Sequence, residues 1–237
     1  LNAETIDVLR SYGIKIVALR SAGYNNVDLE AAYENIHVVR VPAYSPNAVA
    51  EHTIAMIMSL NRNIHRAYYR IKDNNFRIDG FMGFDMNKKT AGVIGTGKIG
   101  KTLIRILSGF DMDIVAYDPY PDNEYADKIG FEYVELEELY SKSDIISLNC
   151  PLTEETHHII NRESISKMKD GVMIINTGRG ALIDTKALIE GLKNKKIGSA
   201  GLDVYEEENH YFFEDFSDEI IGDDVLARLL TFNNVLV

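Results

Sequence analysis

The stretch Val93-Ile94-Gly95-Thr96-Gly97-Lys98-Ile99-Gly100 decides the fold. It continues a run of small and β-branched residues that reads as a strand over 91–95, and it opens a helical period at Lys98. A G-x-G-x-x-G spacing between strand and helix has a definite physical use. Gly95 permits a tight turn, Gly97 lets backbone approach a pyrophosphate, and Gly100 lets helix and strand pack closely. Lys98 and Ile99 contribute the oriented N–H donors of the first helical turn. The next strand, read over 113–117, runs into Asp118, where a carboxylate accepts both adenine-ribose hydroxyls and repels a 2′-phosphate. Pro119-Tyr120-Pro121 places no Arg beside it, so the expected cofactor is NAD rather than NADP.

The same alternation extends outward in both directions. Strands are read over 15–19, 38–41, 91–95, 113–117, 145–149, 172–176 and 197–203, and helical periods separate most of them. Runs such as Val172-Met173-Ile174-Ile175 are apolar throughout, as parallel strands covered on both faces require. The fold class is therefore α/β, a doubly wound parallel sheet with part of a second, smaller domain. Residues 46–72 hold no breaker and place Ile57, Leu60, Ile64, Tyr68 and Ile71 three and four apart, so one long helix is predicted there, with Ser45 as its cap and Pro46 in its first turn. That helix divides a short piece, 1–44, from the main body, 74–237. Residues 206–224, acidic and aromatic without period, read as an excursion loop.

Composition removes several classes of function. The chain has 237 residues, 46% hydrophobic and 26% charged, which excludes disordered and collagen-like readings. Its net charge of -11 repels a phosphate backbone, and Asn87-Lys88-Lys89 and Lys193-Asn194-Lys195-Lys196 are too short for a basic patch, so no nucleic-acid partner is expected. A single Cys150 excludes an internal disulfide and a cysteine-based zinc site, and no metal site is expected. That usage fits a reducing compartment, and cytoplasm is the expected location. No apolar run approaches the ~20 residues that span a bilayer. Because the sequence opens at Leu1 and closes on Val235-Leu236-Val237, which reads as a strand in mid-course, a piece of a longer chain is expected.

Two further segments carry candidate chemistry. Asn176-Thr177-Gly178-Arg179-Gly180 puts an Arg at the carboxyl end of a parallel strand, where ligand crevices form and where a guanidinium grips a carboxylate in bidentate fashion. Asp203-Val204-Tyr205-Glu206-Glu207-Glu208 ends another strand with acids, a pattern equally suited to a solvated turn.

With Leu19-Arg20-Ser21-Ala22-Gly23-Tyr24-Asn25-Asn26-Val27-Asp28, Val41-Pro42-Ala43-Tyr44-Ser45-Pro46, Ala50-Glu51-His52 and Cys150-Pro151-Leu152-Thr153, these segments resemble the D-2-hydroxyacid dehydrogenase family. The likeness is closest to its fermentative members that act on D-lactate. It implies NADH-dependent reduction of a 2-oxo acid, pyruvate, by a homodimer or higher homo-oligomer. Larger 2-oxo acids, or an NADH-responsive corepressor of the same fold, are the alternatives. By the same resemblance, Arg179 clamps the substrate carboxylate and borders the cofactor, backbone N–H groups at Ala22 and Gly23 also hold that carboxylate, and Tyr44 sits beside the substrate methyl. Glu208 corresponds to the acid that keeps a catalytic His charged, and that His is expected beyond Val237. Asp203 meets the nicotinamide carboxamide, while Cys150, Pro151, Thr156, Thr177 and Gly178 line the cofactor crevice. His52 is read as a packed or capping residue. His37, His65, His157, His158 and His210 match no motif and are placed on solvated loops or helix faces. Met56 and Met58 are read as candidates for a dimer face of the long helix.

Overall fold

The structure is a computed structural model that describes residues 1–24, 26–43, 45–207, 211 and 215–237. The chain divides into two compact units, Leu1–Ala48 and Val49–Val237. In the smaller unit, α1 (Ala3–Ser11) starts where the Asn2 side chain accepts the Thr5 N–H. It is followed by β1 (Ile16–Ala18), α2 (Leu29–Ala32) and β2 (His37–Val39). The two strands pair in parallel, Ile16 opposite His37, and Ile6, Val27, Ala32 and Ile36 form a small core.

The larger unit begins with a correction. Residues 46–72 form two helices, α3 (Pro46–Asn61) and α4 (Ile64–Lys72), rather than one. The break has a side-chain cause. Asn61 is buried and turns its amide to the next segment, donating to the Phe84 carbonyl at 2.9 Å and accepting the Phe84 N–H at 2.8 Å. Asn63 then takes φ 53°, a left-handed conformation that Asn tolerates better than most residues. Ile57 and Leu60 are buried, as the period predicts, but Ile64, Tyr68 and Ile71 are exposed. Ser45 Oγ does accept the Ala48 N–H, at 3.4 Å. Met56 is buried within its own chain, which removes it as a dimer-face residue, and Met58 is partly buried.

The sheet follows: β3 (Thr90–Ile94), α5 (Lys98–Ser108), β4 (Asp113–Tyr117), α6 (Asn123–Ile129), β5 (Glu132–Tyr133), α7 (Leu136–Lys142) and β6 (Ile145–Leu148). Next come α8 (Arg162–Lys167), β7 (Val172–Asn176), a 3-10 turn (Gly180–Leu182), α9 (Thr185–Lys193), β8 (Ile197–Leu202), α10 (Asp224–Leu230) and β9 (Val235–Leu236). Seven parallel strands lie in the order β5-β4-β3-β6-β7-β8-β9. The order reverses between β3 and β6, so their carboxyl ends open a crevice at a topological switch point. Every residue of β6 and β7 is buried, with Leu148, Ile160, Ile174 and Leu188 among the core on one side and Ile57, Leu103, Ile145 and Ile175 among that on the other. A fully buried Leu or Ile stabilises the fold by about 1.5–3 kcal/mol. No helix or strand occurs among the described residues between β8 and α10, as the aperiodic sequence there predicts.

Candidate active site

At the carboxyl end of β3 the backbone makes the turn that the glycines demand. Gly95 has φ +92°, and a Cβ there would stand 2.5 Å from the Cys150 nitrogen. A Cβ on Gly100 would stand 2.0 Å from the Gly95 carbonyl oxygen, so turn and helix touch backbone to backbone. Gly97 is different, because a Cβ there would have nothing within 4 Å. Gly97 is also the N-cap of α5 and gives it no side-chain cap, so the first-turn N–H groups, including those of Lys98 and Ile99, face the same open space.

Asp118 follows β4 and is held by this turn. Its Oδ2 accepts the Thr96 N–H at 2.7 Å and the Thr96 hydroxyl at 3.0 Å, and its Oδ1 accepts the Tyr120 N–H at 2.9 Å. Tyr133 in turn donates its hydroxyl to Thr96 Oγ1 at 2.8 Å. Three of about four acceptor positions are thus occupied, leaving room for one further donor where two ribose hydroxyls were expected.

A second turn, 176–182, leaves the end of β7. The Asn176 side chain is buried and fixes it from inside, with Oδ1 accepting the Gly178 N–H at 3.0 Å and Nδ2 donating to the Arg179 carbonyl at 2.8 Å. Arg179 is half-buried, and its Nη1 donates to the Gly178 carbonyl at 2.8 Å. Gly180 lies against the chain after β8, where a Cβ would meet the Tyr205 carbonyl at 2.1 Å. Asp203 Oδ1 lies 3.1 Å from His52 Nε2, which corrects the packed or capping role read for that His. At the next residue of α3, the Thr53 and Thr177 hydroxyls are 3.0 Å apart.

Cys150 and Pro151 follow β6 beside Gly95. Burial, with a contribution from the Asp118 charge, pushes the Cys150 thiol up to about 11. Asn149 Oδ1 is buried there without a hydrogen-bond partner. The Thr156 hydroxyl donates to the Pro151 carbonyl and accepts the Thr153 N–H, both at 2.7 Å, so it holds the loop that it was expected to line. His157 is exposed on a turn, as expected, but two other His readings are corrected. The His158 ring stacks on that of His157 and places Nε2 2.6 Å from Glu206 Oε1, and both ring nitrogens of His65 are buried without partners. In the smaller unit the Ala22 carbonyl accepts from Arg40 and the Gly23 carbonyl from the Ser21 hydroxyl. Tyr44, Glu208 and His210 lie outside the described residues.

The empty volume over Gly97, the uncapped start of α5 and the orphaned Asn149 oxygen form a cradle that a dinucleotide fits. Fold and turn define the class: an α/β protein with a dinucleotide-binding sheet. A profile described as "D-isomer specific 2-hydroxyacid dehydrogenase, NAD binding domain" matches residues 54–237. The D-lactate dehydrogenase of Escherichia coli is 58% identical over 232 residues, covering 98% of this chain and 70% of that protein. Among solved structures, the D-lactate dehydrogenase with NAD+ from Lactobacillus jensenii matches with a TM-score of 0.80 at 33% identity, over 100% of this chain and 71% of that one. The Aquifex aeolicus D-lactate dehydrogenase complexed with NAD and lactic acid matches with a TM-score of 0.82 at 39% identity, over 93% and 67%. The chain belongs to the D-isomer-specific 2-hydroxyacid dehydrogenases, NAD-dependent oxidoreductases, and its cofactor is NAD. No helix among the described residues is long and apolar enough to cross a membrane.

Proposed function

We propose that the protein is a D-lactate dehydrogenase that reduces pyruvate to D-lactate with NADH. One observation carries the reading: Arg179, whose guanidinium is chemically suited to a carboxylate, follows a strand end on the same side of the sheet as the glycine turn, two strands away. The 58% identity to the Escherichia coli enzyme supports it. Gly95, Gly97, Lys98, Ile99 and Gly100 would hold the pyrophosphate, Asp118 the adenine ribose, and Cys150, Pro151, Thr177, Gly178 and Asp203 the nicotinamide end. Bound NADH supplies the hydride.

The chain's own residues do the rest. Arg179 holds the substrate carboxylate with its planar fork and stabilises the negative charge that gathers on the carbonyl oxygen. By the family resemblance, Ala22 and Gly23 are assigned as further carboxylate contacts through their backbone N–H groups, and Tyr44 as a contact of the methyl group. Glu208 keeps the proton-donating His charged near neutral pH, where an unpaired imidazole, with a reference value of about 6.5, is mostly neutral. The reading includes a cytoplasmic, fermentative setting and a homodimer. For the dimer, the apolar surface of Ile64, Tyr68, Ile71, Phe76, Ile78 and Met82 is exposed, Met82 to 93%, and a second copy would cover it.

The test is pyruvate-dependent NADH oxidation by the full-length protein, with the chirality of the product resolved. D-lactate formed faster than any longer 2-hydroxy acid supports the reading. NADH binding without turnover, or a preference for a bulkier 2-oxo acid, overturns it.

A further inference from the structure

Glu206 and two neighbouring histidines form a cluster that the proposed catalytic roles do not use. His157, His158 and Glu206 each offer one ligand atom, and the three atoms lie within 4.8 Å of one another. The imidazoles are stacked, with centroids 3.9 Å apart and planes 29° apart. His158 Nε2 is 2.6 Å from Glu206 Oε1, and the other Glu206 oxygen accepts the Thr185 hydroxyl at 3.0 Å.

Three features exceed what an ion pair needs. A His–Glu pair requires one imidazole, yet a second is stacked beside it, and among the described residues the His157 ring makes no hydrogen bond. His158 also stands at φ 52°, a left-handed conformation that strains a residue with a side chain, and its N–H is tied to the Ala181 carbonyl at 2.9 Å. Finally, the carboxylate is oriented from behind by a hydroxyl, the arrangement by which ligands are held for a metal ion.

We infer that His157, His158 and Glu206 bind a divalent transition metal of the zinc class, with water in the fourth position. Two imidazoles and a carboxylate suit Zn²⁺, whereas Mg²⁺ and Ca²⁺ favour all-oxygen shells. The ion takes the place of the hydrogen bond between His158 Nε2 and Glu206, with His158 binding as the neutral tautomer that keeps its proton on Nδ1. Because the His158 N–H holds Ala181 and Glu206 follows the Tyr205 backbone packed on Gly180, the ion would brace the segment that follows Arg179.

Calorimetric titration of the metal-free protein with zinc chloride tests this, with Co²⁺ absorption in the visible as the second readout. One equivalent of Zn²⁺ is expected, together with a tetrahedral Co²⁺ spectrum. His157→Asn and Glu206→Gln should each weaken Zn²⁺ binding at least about tenfold and abolish that spectrum, while His37→Gln in the smaller unit changes neither. If Glu206→Gln unfolds, His157→Asn decides alone, because its ring is at the surface. Absence of Zn²⁺ binding at about 1 mM, or equal affinity in His157→Asn and the parent, overturns the site.

Discussion

The two turns at the carboxyl edge of the large sheet are built on opposite principles. The Gly95 turn is shaped by missing side chains: two of its glycines stand where a Cβ would strike backbone, and the third borders open space. The Arg179 turn is shaped by side chains that are present. Asn176 braces it internally, and Gly180 seats it against residues 205 and 206, more than twenty positions away. A turn made of absences leaves its backbone open to approach, which is where we propose that the cofactor's phosphates bind. A turn made of hydrogen bonds holds one side chain, Arg179, in a fixed place.

Substitutions that respect or violate those principles separate the two. Gly100→Ala forces a methyl onto the Gly95 carbonyl, and urea unfolding should show a loss of about 3 kcal/mol or more. A milder loss would mean that helix and turn can slide apart. Arg179→Lys keeps the charge but not the fork, so kcat/KM for pyruvate should fall at least about 100-fold with NADH affinity nearly unchanged. Parallel loss of both would show that the two turns are not separate instruments. Asn176→Ala strips both braces from a buried position and should cost about 1–3 kcal/mol in thermal unfolding, with a lowered kcat/KM and intact NADH binding. Tyr133→Phe removes only the bond to Thr96 behind Asp118, so about 1 kcal/mol of stability and a small change in the NADH/NADPH ratio are expected from titrations.

The same contrast explains what the sequence could disclose. Glycine spacing and β-branched runs are local, so the Gly95 turn, its helix and the buried strands were readable residue by residue. Pairings between distant segments were not. His52 meets Asp203 across 151 positions and His158 meets Glu206 across 48, and nothing next to either His in the sequence names its partner. The helix break at Asn63 has no local signal in the sequence, because its cause, the Asn61 amide turned to Phe84, depends on a partner 23 residues ahead. β5 is two residues long, too short to carry a period. Thr156 could be assigned to the crevice by resemblance, but its hydroxyl is spent on the Pro151 loop.

The central claim is that the open space over Gly97 receives the dinucleotide, and Gly97→Ala tests it most directly. Gly97 has φ -64° and ψ -167°, an extended conformation open to alanine, and the added methyl touches nothing in the protein. Stability should therefore stay within about 0.5 kcal/mol of the parent. NADH affinity, measured by calorimetric titration of the same sample, should fall at least about tenfold, because the methyl occupies the approach to the pyrophosphate. A stable Gly97→Ala protein that binds NADH as tightly as the parent would contradict the account.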